Sequence, residues 1–330
     1  MADPLLLVII SLALGFGLVN GFNDAANAVA AAVGSRSISP RNAIILAACM
    51  NFAGAASGTA VAQTIGKGIL VPETISYLTV ISGLSSIVIW GAIATYLGLP
   101  VSLTHGFVAG LASAGVAVAG TQAVIWSVMQ RILISVASAP LLGFAGGFGI
   151  MVLLSWIYQH YRPNRMRIVF SRLQWITTGF LAYSHGKNDG QMPLGIITMA
   201  LVIHTGQIGL WDSIPWWVIA VSASSISIGT AVGGWRVIKT VGMRVTALNP
   251  ARGFVSSLTA ASVIEGASRL GIPVSTTHCS SAAIMGAGAS RRLSAVRWGT
   301  AKNIVLAWVL TFPICGGLGY LIAYLLKPFF

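Results

Sequence analysis

The sequence predicts an all-α integral membrane protein. About ten transmembrane segments, twelve at most, are expected in two inverted-topology repeats, with broken helices or hairpins at the midplane. Three observations carry this. The 330-residue chain is 56% hydrophobic and 8% charged, whereas soluble domains carry roughly 25% charged residues. Apolar runs recur from end to end, each nearer the ~20 residues of a spanning helix than the ~10 of a membrane strand. Motifs of the first half return in the second at nearly constant spacing.

The elements follow in order. An apolar run over 4–20 enters Gly21-Phe22-Asn23-Asp24-Ala25-Ala26-Asn27-Ala28 and continues to Val33. No charged n-region or small-residue cleavage site is evident, so this first helix is expected to be retained. Arg36 and Arg41 mark a loop, and Pro40 starts a helix over 41–64. Lys67, Pro72 and Glu73 mark the next loop, and a charge-free helix spans 75–97. The stretch Leu97-Gly98-Leu99-Pro100-Val101-Ser102-Leu103-Thr104-His105 leads a small-residue helix to Gly120. The segment 124–158, with a bend expected at Pro140, is longer than one bilayer crossing needs, so it is tilted, broken or two short spans. The second half repeats the plan. A run over 173–185 enters Gly186-Lys187-Asn188-Asp189-Gly190-Gln191, and helices follow over 215–234, 252–270, 274–289 and 298–325.

The offsets define the repeat. Asn23 maps to Asn188 at 165, Gly58-Thr59-Ala60-Val61 to Gly229-Thr230-Ala231-Val232 at 171, and Leu97–His105 to Leu270–His278 at 173. This divides the chain into a first repeat (1–160), a basic cytoplasmic connector (161–172, with Arg162, Arg165, Arg167 and Arg172) and a second repeat (173–330). Five spans per half would invert the second half. Alternating loops then put fourteen of the nineteen Lys and Arg on one side. By the positive-inside tendency that side is cytoplasmic and both termini lie outside. The same tendency explains the net charge of +13 without nucleic acid. Cys49, Cys279 and Cys315 are too scattered for a metal cluster or a disulfide framework.

The chemistry sits in the repeated motifs. Only six residues are acidic, and two of them are the matched Asp24 and Asp189. Ionisable groups at membrane depth mark ion or substrate paths. Asn amides and carboxylates are hard oxygen donors, and helix breaks at Gly21 and Gly186 would free backbone carbonyls beside them for Na⁺ or a proton. The bland alternative is that Asn23, Asn27 and Asn188 are interhelical hydrogen-bond partners. Pro100 and Pro273 suit a first helical turn, which would place Ser102, Thr104, Ser275 and Thr277 there with free backbone N–H groups, an anion site. The alternative is ordinary N-capping. His105 and His278 follow; each could hold the anion, shuttle protons or bond a neighbouring helix. His160, His185 and His204 have no spaced partners and read as interfacial. Lys187 could pair with Asp189 or hold an anion. No Walker, Gly-x-Ser-x-Gly or His-Glu-x-x-His pattern occurs, nor a nucleophile with its base, so no enzyme is expected.

Gly21–Ala28, the two L-G-x-P-V-S-x-T-H stretches and Tyr183-Ser184-His185-Gly186-Lys187-Asn188-Asp189-Gly190-Gln191 together resemble the inorganic phosphate transporter (PiT) family, in its compact bacterial form. The resemblance spans essentially the whole chain. It implies a cation-coupled phosphate symporter in a bacterial inner membrane, a homodimer in contact with lipid, and no cofactor beyond the transported Na⁺ or H⁺. Carried over by motif, Asn23, Asp24, Asn27, Asn188 and Asp189 would serve the coupling ions, with Na⁺ at Asn23, Asp24, Asn188 and Asp189 if sodium is used. Ser102, Thr104, Ser275, Thr276 and Thr277 would contact phosphate, with Gln191. Two departures remove cation ligands or titratable groups: Gly190-Gln191-Met192-Pro193 in place of a second Asn and Ala, and Gln63 in place of a glutamate. The choice of Na⁺ or H⁺ is left open.

The expectation is therefore secondary active phosphate uptake by alternating access. The alternatives are a permease for another oxyanion, such as sulfate or a metal-phosphate complex, a non-transporting membrane scaffold or receptor, and an ion channel.

Overall fold

The computed structural model describes residues 3–330. Thirteen α-helices are named among them, joined by short 3-10 turns and one π-helical turn. In the first half these are α1 (Pro4–Gly34), α2 (Pro40–Ala55), α3 (Ala60–Gly68), α4 (Tyr77–Leu97), α5 (Leu103–Ala119) and α6 (Trp126–Ile157). In the second they are α7 (Pro163–Asp189), α8 (Gln191–Thr205), α9 (Trp216–Val232), α10 (Trp235–Lys239), α11 (Pro250–Arg269), α12 (Thr276–Ala289) and α13 (Trp298–Leu326). By length and apolarity α1, α4, α6 and α13 can each cross a membrane, and two bent pairs, α2 with α3 and α9 with α10, reach the same measure.

Local chemistry sets the ends. Asp3 accepts from the Leu5 N–H at the start of α1, Ser39 and Asn249 cap α2 and α11 ahead of Pro40 and Pro250, and Ser76 forms a capping box with Thr79 at α4. Gly98 (φ 71°) and Gly271 (φ 67°) turn the chain at the tips of two helical hairpins, α4–α5 and α11–α12. These left-handed positions suit glycine, which carries no Cβ.

Several expectations are corrected. Gly21 and Gly186 do not break their helices; α1 and α7 run straight through them. Their lack of a Cβ serves close packing instead. A methyl on Gly21 would lie 2.5 Å from the Ile226 carbonyl of α9, and one on Gly186 would lie 2.2 Å from the Asn51 carbonyl of α2. The breaks fall elsewhere. The helix expected over 41–64 bends by 69° between α2 and α3, and its counterpart bends by 62° at Gly233–Gly234. Lys67, expected in a loop, lies on α3. The stretch 161–172, read as a connector, runs into α7, which starts at Pro163. Pro100 and Pro273 sit in extended chain before α5 and α12 rather than in their first turns. Of the readings open for 124–158, that of two short spans is set aside, because 126–157 is one helix with Pro140 inside it.

Packing interlocks the halves through reciprocal contacts. Helix α1 packs on α9 as α7 packs on α2, and α1 packs on α4 as α7 packs on α11. Each hairpin inserts its second helix against the long last helix of the other half: α5 on α13 and α12 on α6. Small residues allow this. Gly319 of α13 abuts the Gly110 backbone of α5, and Gly147 of α6 abuts Ala283 of α12. The apolar core gathers mainly into two clusters, one around Phe16, Ile87, Phe107 and Ile197, the other around Val29, Val241, Ile264 and Ile284.

Candidate functional site

Side chains from the motifs of both halves meet in one buried cluster. Asn23, Asp24, Asn27, Asn188, Asp189, Gln191, Ser102, Thr104, His105, Ser275, Thr276, Thr277 and His278 are each at most 2% exposed.

The two asparagines that open the Asn-Asp motifs hold the hairpin tips. Asn23 donates to Thr95 Oγ1 (3.0 Å) and the Leu99 carbonyl (3.1 Å), and its Oδ1 accepts from the Val101 N–H (3.1 Å). Asn188 donates to Ser268 Oγ (2.9 Å) and the Ile272 carbonyl (3.3 Å) and accepts from the Val274 N–H (3.2 Å). All three partners match between the halves at the same offset as the hairpin motifs. The other half's long helix completes each tip. Trp308 Nε1 of α13 donates to the Pro100 carbonyl, and Ser135 Oγ of α6 donates to the Pro273 carbonyl.

The aspartates face one another across the junction. Asn20 Nδ2 donates to both Asp24 Oδ2 and Asp189 Oδ2, at 3.3 Å each. Asp24 also accepts from the Leu103 N–H of α5 (3.3 Å) and from Thr277 Oγ1 of α12 (2.7 Å). Asp189 accepts from Thr276 Oγ1 (2.9 Å). Asn27 Nδ2 donates to Thr277 Oγ1 at 2.8 Å. Each carboxylate thus lies at the start of a half-length helix, where backbone N–H groups favour negative charge. Burying two carboxylates together without a cation is costly. Four buried oxygens of the cluster have no hydrogen-bond partner among the described residues: Asn20 Oδ1, Asn27 Oδ1, Thr104 Oγ1 and Asp189 Oδ1. Unpaired oxygen donors beside buried carboxylates are the donor set that a hard cation takes.

Ser102 and Ser275 accept from the backbone N–H groups of His105 (3.3 Å) and His278 (3.1 Å), so each caps its helix. The His105 and His278 rings meet edge to face with centroids 5.2 Å apart. Phe312 flanks His105 and Trp308 stacks on His278 at 4.1 Å. Gln191 lies at the head of α8, and its Oε1 accepts from the Val61 (2.9 Å) and Ala62 (3.3 Å) N–H groups. It thereby caps α3, whose own N-cap Thr59 supplies no side-chain bond. Lys187 reaches neither aspartate; its Nζ donates to Glu265 Oε1 (2.6 Å), which also accepts from Arg269 Nε (2.8 Å).

Two residues of the cluster escaped the sequence reading. Asn20 lies just outside the first motif, and His185 reads as interfacial in the sequence. His185 is in fact buried, with Nδ1 2.7 Å from Asn51 Oδ1 and Nε2 3.4 Å from Asp189 Oδ2. The Asn51 amide donates to Thr230, so its oxygen must accept, and His185 Nδ1 carries the proton. The signal available was position. Asn20 and His185 each precede their aspartate by four residues, one helical turn, on the same face. His204, by contrast, lies at the surface 3.5 Å from Asp3.

Comparison with known proteins fits this arrangement. The family model described as "Phosphate transporter family" matches residues 20–319. A Bacillus subtilis protein named "Probable low-affinity inorganic phosphate transporter" is 38% identical over 99% of this chain and 98% of its own. A Rhizobium meliloti protein of the same name is 37% identical over 95% of this chain and 94% of its own. Among solved structures, one described as "The sodium-dependent phosphate transporter" superposes with a TM-score of 0.92 at 27% identity, covering 99% of this chain and 100% of that one. Motifs, fold and relatives agree, and the chain belongs to the phosphate transporter family.

Proposed function

We propose that the chain is a cation-coupled symporter of inorganic phosphate working by alternating access between two inverted repeats. One observation carries the reading: Asp24 and Asp189, one from each half, share the Asn20 amide beside the starts of α5 and α12. The carboxylates occupy donors that an anion would use. A cation bound among Asp24, Asp189, Asn20 and Asn27 neutralises them and frees Thr276, Thr277 and nearby N–H groups for phosphate, beside the unpaired Thr104. Cation and anion then bind together or weakly, which is the requirement for symport. Such coupling is needed because each negative charge entering a negative-inside cell costs about 2.3 kcal/mol per 100 mV.

The roles divide as follows. Asn23 and Asn188 hold the hairpin tips beside the coupling ion, Ser102 and Ser275 shape the anion-binding turns, and Gln191 steadies the α3 break. Sodium as the coupling ion is supported by the unpaired oxygens and by the likeness to a solved transporter described as sodium-dependent. Proton coupling is favoured by a single observation. With Nδ1 committed to Asn51, a neutral His185 turns a lone pair toward Asp189, so a proton or a cation belongs between them. The reading includes a bacterial inner membrane with both termini outside. Lipid and a second copy of the chain are its partners, and the outer face of α6 is the surface offered to them, with Leu141 68% and Trp156 73% exposed.

Phosphate uptake into proteoliposomes tests this, with Na⁺ and pH gradients imposed one at a time. One gradient should drive accumulation, unaffected by excess sulfate. Uptake that never exceeds equilibrium under either gradient contradicts symport, and competition by sulfate points to a general oxyanion permease.

A further inference from the structure

We propose a second anion site, for a phosphate-bearing group, where α1 ends and α7 begins. A concavity of about 450 Å³ opens there, lined by Ser35, Arg36, Arg167, Ser171, Arg172 and Pro250. Ten residues of α1, about 15 Å at 1.5 Å per residue, separate Asp24 from the helix end at Gly34. The site is therefore distinct from the central cluster, and its failure leaves the transport reading untouched.

The charge around this hollow is unbalanced. Arg36, Arg167 and Arg172 take part in none of the ion pairs found among the described residues, which join other groups. No acidic residue lines the hollow. Asp24 and Asp189 are in the central cluster, Glu265 is held by Lys187 and Arg269, and Asp3 lies beside His204. Glu73 sits in the short 3-10 turn before α4, and Asp212 just after the one before α9.

The helices sharpen the imbalance. A helix N-terminus carries roughly half a positive charge and is normally flanked by acids. Helix α7 starts at Pro163 with no side-chain N-cap and no acid in its first turn, and Arg162, Arg165 and Arg167 crowd that end instead. Helix α11 begins at Pro250, on the rim of the same hollow, also without an acid. The positive-inside tendency explains arginines on one side of a membrane. It does not explain three unpaired arginines around one concavity, where they repel each other and Arg167 lies near the positive end of α7. A bound anion relieves both repulsions.

The donors suit phosphate. Guanidinium groups present planar N–H forks that match phosphate oxygens. The Ser35 and Ser171 hydroxyls on the wall already donate, to Gln174 Oε1 and to Ser37, so the guanidinium groups carry the binding. Basic pockets between helices at a membrane surface are the usual seat of anionic lipid headgroups; free phosphate offers the same chemistry.

The test compares wild type, Arg36→Gln/Arg167→Gln/Arg172→Gln, Arg167→Gln alone, and a charge-matched control, Arg244→Gln/Arg292→Gln/Lys302→Gln. Each is placed in lipid nanodiscs and assayed for retention of cardiolipin, phosphatidylglycerol and phosphatidylcholine by native mass spectrometry, and for labelled inorganic phosphate by equilibrium binding. If the ligand is a lipid headgroup, wild type retains anionic over zwitterionic lipid. If it is free phosphate, wild type binds one more equivalent than the triple variant. Either preference should fall at least tenfold in the triple variant, partly in Arg167→Gln, and not in the control. The site is overturned if wild type shows neither preference, or if the control loses as much as the triple variant.

Discussion

Asn20 and His185 occupy equivalent positions in the two halves, and each lies beside Asp189: Asn20 Nδ2 at 3.3 Å and His185 Nε2 at 3.4 Å from the same oxygen. Asn20 alone also reaches Asp24. Replacing it by Leu leaves two buried carboxylates facing each other with no donor between. Losing a charge-assisted bond costs ~1.5–3 kcal/mol. Asn20→Leu should lower the thermal midpoint most in the absence of Na⁺ and reduce uptake at least tenfold. Unfolding curves with and without Na⁺ check this.

The fixed tautomer of His185 gives a second expectation. His185→Gln keeps a donor to Asn51 but cannot carry a mobile proton. If protons drive transport, the variant loses pH-gradient-driven uptake; if Na⁺ does, it retains at least a third of the wild-type rate. Initial rates under each gradient separate the two.

Asn23 and Asn188 each make three bonds to a hairpin tip, so either Asn→Ala change should cost ~1–3 kcal/mol and loosen one tip. Amide exchange should quicken over 99–101 in Asn23→Ala and over 272–274 in Asn188→Ala. Equal quickening of both tips in either variant would argue against independent clamps.

The close helix crossings predict a steric result. Gly21→Val places a branched side chain where a single methyl already meets the α9 backbone at 2.5 Å. Overpacking of this kind costs ~1–3 kcal/mol or more, so the variant should be poorly folded. Gly15→Val meets nothing within 4 Å of its first carbon and should be tolerated. Detergent-solubilised yield and size-exclusion profiles compare them.

Much of this was legible in the sequence. The constant offset of 173 between the hairpin motifs anticipated like contacts at both tips, and the scarcity of acids singled out Asp24 and Asp189. The helix breaks were not legible, because glycine permits both a break and a close approach. In the apolar stretch 41–64 the small residues Ala56-Ser57-Gly58-Thr59 mark the bend without interrupting hydropathy. Asn20 and His185 escaped notice because equivalent positions hold different residues, so repeat matching passes over them. Ser102 and Ser275 could cap a helix or face an anion, and only coordinates place their oxygens on the backbone of His105 and His278.

The central claim is that the paired carboxylates make phosphate binding depend on a cation. Equilibrium binding of labelled phosphate to the purified protein, across Na⁺ concentrations at fixed pH and across pH without Na⁺, tests it most directly. Phosphate affinity should rise at least tenfold with one of the two cations in wild type and show no such rise in Asp24→Asn/Asp189→Asn. Affinity indifferent to both cations in wild type, or an undiminished rise in the double variant, would contradict it.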